Sequence, residues 1–361
     1  MIPYGRQWVD DDDIEAVVKV LQGDWLTQGP TVDQFEETIA QRVGARYAVA
    51  FANGTAALHA ACAAAELGPG DRVITSPLTF VASANCARYV GAQVDFVDID
   101  PGTLNIDVEK VPAHADALVA VHFAGLPIDL TALSRRPRVV IEDAAHALGA
   151  TTTDGPVGNC AHSDMATFSF HPVKAITTAE GGAVTTNSST LAERLRSFRS
   201  HGIVRKPERG EWYYEVESLG YNYRLSDIHA ALGISQMGKL DRFLTRRNRL
   251  ASRYYELLSG LPVTIAPDAP GGTVHGRHLF PIRVADRENV FARMRRSGIG
   301  VQVHYVPVTR HPTFGLSAED QARFPEAERA YEHLISLPLY AGLTDDAQDY
   351  VVAMLKEALH S

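Results

Sequence analysis

From about residue 46 the chain alternates short apolar runs with longer runs of helical character, and few folds accept that alternation. "RYAVAFA" reads as a buried strand. The Ala-rich helix "GTAALHAACAAAEL" follows it and stops at "GPGD". "RVITSP" is a second strand, trailed by the helix-like "FVASANCARYVG". "AQVDFVDID", "DALVAVHF" and "PRVVIEDAA" are the third, fourth and fifth strands. "MATFSFH" and "GGAVTTN" are two more, and the loop between them carries Lys174. Short apolar strands separated by helices predict a mainly parallel sheet covered on both faces, an α/β fold. Ligands of such sheets lie beyond the carboxyl ends of the strands, so the strand-end residues carry the functional reading.

The remainder divides the chain. A long helical stretch begins near Ser226, with Gly233 or Gly238 as a possible bend. A smaller αβ region follows: "HLFPIRV", a helix from Arg287 to Ser297, "GIGVQVHYVPV" and two C-terminal helices. The boundary is set near residue 240, giving a large domain at 1–240 that includes the N-terminal segment, and a small C-terminal domain at 241–361. A net charge of −9 supplies no basic footprint for nucleic acid. No run of eighteen apolar residues predicts a membrane span, and "MIPYGRQWVDDDD" lacks the pattern of a signal peptide. The acidic run Asp10 to Asp13 suits the first turn of a helix. The three cysteines, Cys62, Cys86 and Cys160, have no metal-site spacing and fit small buried residues in a reducing, cytoplasmic compartment. No metal is expected.

At the first strand end, "NGTAAL" places Asn53 or Thr55 as a helix cap and Gly54 where a backbone can approach a ligand. Neither a dinucleotide fingerprint nor a P-loop is present, so a site here fits a single phosphate. Phe80, in "SPLTF", serves either as core or as a ring that stacks on a flat ligand. The fifth strand ends in Glu142 and Asp143, one of which must project near the sheet's end, and His146 follows within reach. Ser169 ends the next strand. Lys174 has only Glu180 as a charged neighbour in sequence; it is either a solvated loop lysine or a desolvated, reactive one. Together a helix N-terminus, a serine, an aromatic ring, a carboxylate and a lysine meet the requirements of pyridoxal 5′-phosphate (PLP).

The motifs "LTQGP", "NGTAALH", "SPLTFVASAN", "VHFAGLP", "EDAAHALGA", "SFHPVKAITTAEGGAVTTN" and "LGYNYRLSDIHAALG" resemble those of DegT-type sugar-nucleotide aminotransferases over nearly the full length. "IPYGRQ", "FHPVKAITTAEGG" and "VQVHYVPV" are most similar to the pseudaminic-acid branch, which aminates C4 of a UDP-linked 4-keto-6-deoxy-N-acetylhexosamine. The resemblance implies a fold-type-I PLP enzyme with glutamate as amino donor. It implies that Lys174 forms the Schiff base, Asp143 pairs with the pyridine nitrogen, His146 lies beside the ring and Phe80 stacks on it. Gly54, Thr55 and Ser169 would hold the phosphate, and Asn222 would reach the cofactor phosphate of a neighbouring subunit in a homodimer with shared sites. Tyr4, Asp24, Trp25, Leu26, Thr27, His304 and Tyr305 match positions lining the sugar-nucleotide pocket. Related dehydratases carry histidine at the lysine position, so Lys174 argues against dehydration. Amination at C3, a dTDP- or GDP-linked sugar, and a non-catalytic PLP-binding regulator remain as alternatives.

Overall fold

The computed structural model describes residues 1–266 and 268–360. Seven strands form its central sheet: β1 (Tyr47–Phe51), β2 (Arg72–Thr75), β3 (Gln93–Phe96), β4 (Ala117–Val121), β5 (Val139–Asp143), β6 (Met165–Ser169) and β7 (Gly182–Thr186). Their spatial order is β1-β7-β6-β5-β4-β2-β3. Strands β2 to β6 pair in parallel, and β7 is antiparallel to both neighbours. The sheet is therefore mixed and mainly parallel, as the strand pattern predicts. Each of the seven apolar runs read from the sequence is one of these strands. All five residues of β4, β5 and β7 are buried, which explains why these runs carry no polar alternation.

Helices cover both faces. On one side α2 (Pro30–Val43) and α6 (Asp227–Met237) build a core around Phe35, Ile39, Phe168 and Phe170, and α1 (Asp11–Leu21) lies against α6. On the other lie α3 (Gly54–Ala64), α4 (Ala82–Tyr89) and α5 (Ser189–Arg199), packed through Ala57, Ala60, Ala61 and Cys86. The small side chains of α3 let its axis come close to the sheet, and its start comes closest of all. A Cβ on Gly182 would stand 2.5 Å from the Asn53 carbonyl oxygen and 2.8 Å from the Gly54 nitrogen, so only glycine fits at the head of β7.

The long helical stretch breaks at Gly238, between α6 and α7 (Leu240–Leu257). Gly233 is not a bend. It lies inside α6, where a Cβ would meet the Phe35 ring at 2.6 Å. Helix α7 belongs to two cores. Leu240, Phe243 and Leu244 pack into the first, and Leu250, Ala251 and Tyr254 into a second with Phe280, Ile282 and Ile335. That second core rests on an antiparallel sheet of Val263–Ile265, Phe280–Val284 and Leu334–Leu337, with α8 (Arg287–Arg296) and α10 (Asp345–Leu359), while α9 (Pro325–His333) packs through Ala327 and Ala330 against Phe96 and Phe324. Residue 240, the boundary read from sequence, is the first residue of this shared helix. The N-terminal residues Ile2–Pro3 pair in parallel with Ile299–Gly300, beside the second core. A short hairpin of Ile203–Arg205 and Tyr214–Val216, not read from the sequence, stands apart from both sheets.

Buried carboxylates join the elements. Asp13 accepts from Ser235 (2.6 Å) and Gln236 (2.8 Å) and pairs with Lys239 (2.9 Å), locking α1 onto α6. The run Asp10–Asp13 does open α1, with Asp10 as its N-cap. Asp227, fully buried, accepts the Gly29 and Thr31 amides at 2.9 and 3.0 Å, so the first residue of α6 caps α2. Asp98 caps α9 in the same way, taking the Glu326 and Ala327 amides at 2.8 and 2.9 Å. Because Asp227 holds two otherwise orphaned amides with a buried charge, Asp227→Ala should lower folding stability by about 2 kcal/mol. Asp227→Asn, which keeps one acceptor, should cost less; the urea denaturation midpoints of the two variants check the order.

Candidate active site

A cavity of about 830 Å³ opens at the carboxyl ends of the parallel strands. Asn53 to Ala56 line it after β1, Thr79 and Phe80 after β2, Asp143 at the tip of β5 and Ser169 at the tip of β6. Lys174 enters from the loop between β6 and β7. Tyr4, His278, His304 and Tyr305 close the side facing the second core.

The open choice within the acid pair is resolved by the alternation of a strand. Asp143 faces the cavity. Its carboxylate accepts from the Ser83 hydroxyl (2.7 Å) and the Ala145 amide (3.1 Å) and exposes 5% of the residue's surface. Glu142 points the other way, into a buried set in which His122 Nε2 lies 2.8 Å from it and Ser163 donates to its second oxygen. The Ile128 amide donates to His122 Nδ1 (3.0 Å), so the His122 proton sits on Nε2 and goes to Glu142. Glu142 is thus spent on structure.

Lys174 is half-buried and its side chain lines the cavity rather than standing in open solvent. Burial lowers its pKa to about 8 against the upward pull of the nearby Asp143 carboxylate. The loop is tied at several points. The Lys174 amide donates to the His171 carbonyl (2.9 Å), the Thr178 amide to the Phe170 carbonyl (3.0 Å), and Arg247 donates to the Lys174 carbonyl (3.2 Å).

His146 is buried beside them. Its Nε2 is 3.1 Å from the Tyr305 hydroxyl, and its ring lies 4.3 Å from that of His278. Its Nδ1 is buried with no partner, as is Nδ1 of His278. Burial, with Lys174 nearby, holds both imidazoles neutral by pushing their pKa values well down. Opposite, Asn53 caps α3 by accepting the Ala56 amide (2.8 Å). The start of this helix is an anion-binding feature, and Ser169 closes it from below. A Cβ on Gly54 would come within 2.9 Å of the Ser169 Cβ, so glycine keeps the cradle open. The Phe80 ring is 56% exposed at the cavity wall, 6.0 Å from the Tyr305 ring, and is not part of the core.

One chain therefore gathers Gly54, Thr55, Phe80, Asp143, His146, Ser169, Lys174, Tyr4, His304 and Tyr305 around one cavity. It does not bring Asn222 or the 24–27 stretch there. Asn222 is exposed and bridges Ser200. Asp24, Trp25, Leu26 and Thr27 are exposed, with Thr27 bridging Ser226 and the Leu26 carbonyl accepting from Asp227 (3.1 Å). Sequence reading missed Ser83, His278 and Arg247. Ser83 was within reach, since it lies three residues beyond Phe80, one helical turn on, in a motif already singled out. Nothing distinguishes Arg247 from the other three arginines in "DRFLTRRNRL". Among the described residues no group of three or more His, Cys, Asp or Glu could hold a metal, and no helix is long and apolar enough to cross a membrane.

Comparisons with known proteins agree with this geometry. Residues 7–356 match the model of the DegT/DnrJ/EryC1/StrS aminotransferase family. The chain is 37% identical to a spore coat polysaccharide biosynthesis protein, SpsC, of Bacillus subtilis, covering 99% of this chain and 96% of that one. It is also 37% identical to a UDP-4-amino-4,6-dideoxy-N-acetyl-beta-L-altrosamine transaminase of Campylobacter jejuni, covering 94% and 93%. Among solved structures, Helicobacter pylori PseC, an aminotransferase involved in the biosynthesis of pseudoaminic acid, superposes with a TM-score of 0.91 at 30% identity over 99% of both chains. A Streptococcus pneumoniae protein assigned as a sugar aminotransferase, in its PLP form, gives 0.92 at 27% identity over 99% and 98%. With the family model spanning nearly all of its length, this chain belongs to the DegT/DnrJ/EryC1/StrS family and is a PLP-dependent aminotransferase.

Proposed function

We propose that the chain transfers an amino group from glutamate to C4 of a UDP-linked 4-keto-6-deoxy-N-acetylhexosamine, working as a cytoplasmic homodimer. The observation that carries the chemistry is the desolvated Lys174 amine facing Asp143 in a cavity that ends in an open helix N-terminus. The substrate class is supported by the Campylobacter jejuni and Helicobacter pylori relatives. Free, buried Cys62, Cys86 and Cys160 suit a reducing compartment. Asn222 is exposed and does not line its own chain's cavity, although Tyr221 and Tyr223 on either side do, which suits a residue that serves a neighbouring copy.

The residues present fit PLP. The glycine cradle at Gly54, the buried unpartnered Nδ1 of His146 and the fixed Asp143 carboxylate each answer to one part of it. When bound, PLP supplies an electron sink for charge that develops on the donor's α-carbon. The protein's own part is positional and acid–base. Gly54, Thr55 and Ser169 would hold the phosphate at the start of α3, where the helix dipole favours an anion. Asp143, its carboxylate held by Ser83 and the Ala145 amide, would pair with the ring nitrogen and favour its protonated form. His146, kept neutral by burial, would offer Nδ1 to the cofactor, and Phe80 would stack on its ring. Lys174 takes a proton from the donor's α-carbon and, in the second half of the cycle, returns one at C4 of the sugar. Tyr4, His304 and Tyr305 line the side where the sugar enters, and the 24–27 stretch supplies further substrate contacts in the assembled homodimer.

Lys174→Ala should reduce transamination to background, and Asp143→Asn should keep PLP but lose about a hundredfold or more in rate. Rates of 2-oxoglutarate formation and product NMR check both, and NMR of the product also separates C4 from C3 amination. The pH dependence has a defined sign. Only the neutral amine is a nucleophile, so PLP uptake by the PLP-free protein should accelerate as pH rises through about 8, where an ordinary lysine would titrate near 10.5. Stopped-flow absorbance between about pH 6 and pH 11.5 would locate that midpoint and tell the two values apart.

A further inference from the structure

Arg247 is a fully buried cation in the middle of α7, exposed by 2%. Among the described residues no carboxylate comes within ion-pairing distance of it. Its partners are four main-chain carbonyls. One terminal nitrogen donates toward those of Arg277 (3.3 Å), His278 (3.4 Å) and Leu339 (3.1 Å), and the other donates to that of Lys174 (3.2 Å). Its Nε is buried without a partner. A buried charge held only by carbonyls is an expensive way to fill space, and a hydrophobic side chain of similar volume would pack there at less cost. The geometry of a guanidinium fork explains its presence better. It is planar and rigid, and it can bind several acceptors from different chain segments at once.

Two of the residues it joins, Lys174 and His278, line the cavity. The Lys174 carbonyl belongs to the loop between β6 and β7. The His278 carbonyl belongs to the residue whose ring lies 4.3 Å from that of His146. Leu339 follows the last strand of the second core, and its amide donates to the carbonyl of Tyr4 (2.9 Å), another residue of the cavity wall. Arg247 itself sits where α7 passes from one core to the other, between Leu244 and Leu250. We propose that Arg247 is a positioning residue, a clamp that fixes the peptide following Lys174 to the His278 and Leu339 backbones and so sets where the Lys174 amine stands relative to His146 and Tyr4. This rests on the role given to Lys174 above. Arg247 touches no reacting atom; it acts through the loop. Displacing a reacting group by about 1 Å costs on the order of a hundredfold in rate, so a clamp on this peptide is felt in turnover.

The test uses Arg247→Met, with Arg247→Lys as a second variant whose single ammonium cannot span both sets of carbonyls. In purified protein stripped of PLP, hydrogen exchange of the 171–179 loop should quicken by about tenfold or more in Arg247→Met while β4 and β5 stay protected. In PLP-loaded protein, turnover per bound PLP should fall about a hundredfold with KM values within about twofold, and added guanidinium should restore part of it. Arg247→Lys should fall between. Turnover per bound PLP within about threefold of the parent overturns the proposal, whatever the exchange shows. So does exchange that quickens equally across both cores, which would mark Arg247 as a general stabiliser. If the parent protein itself fails to transaminate, the reading of Lys174 falls, while loop exchange still decides whether Arg247 holds that peptide.

Discussion

The register of β7 governs this molecule. Gly182 lies opposite both Phe51 at the end of β1 and Ser169 at the end of β6. That alignment makes two parallel strands finish at the same level with an antiparallel strand between them. The start of α3 and the lysine loop are then brought to one place, with no room for a side chain at 182 or at 54. Shifting β7 by one residue would exchange its two buried faces and part the anion cradle from the amine. The cavity is thus a consequence of strand ends meeting, and the chemistry is placed there by backbone before any side chain contributes.

Within that frame, electrostatics divides the work between neighbouring residues. Glu142 and Asp143 are adjacent in sequence yet project to opposite faces of β5. One is enclosed by His122 and Ser163, and the other is aimed at the cavity by Ser83 and Ala145. His146, His278 and His304 are kept neutral by burial, so they add polarity without adding charge. Lys174 and Asp143 remain as the opposed ionisable pair at its floor. That scarcity matters to a lysine which must shed its proton near neutral pH, because desolvation dominates wherever few anions stabilise the ammonium.

Much of this was legible in the sequence. The seven strands were visible because short apolar runs separated by helices admit few interpretations. Phe80, Asp143, Ser169 and Lys174 were visible because the architecture puts function at strand ends. The less legible features depend on contacts between distant segments. Gly233 and Gly238 look alike as helix breakers, and only the Phe35 ring packed against Gly233 tells them apart. His278 and Arg247 act through atoms brought in by α7 and the second core, more than seventy residues from Lys174. Asn222 and the 24–27 stretch lie outside the cavity of a single chain, and family resemblance alone relates them to it.

Helix α7 has a consequence for how the molecule holds together as it is heated. Its first turns are buried in one core and its last turns in the other. Melting either core strips half of this helix of its packing, and a helix of eighteen residues draws most of its stability from the face it buries. Neither half can therefore come apart while the other keeps α7 intact. These two cores share one helix and so melt as one unit, and a cut at residue 240 would leave Phe243 and Leu244, which pack into the first core, on the piece that carries the second.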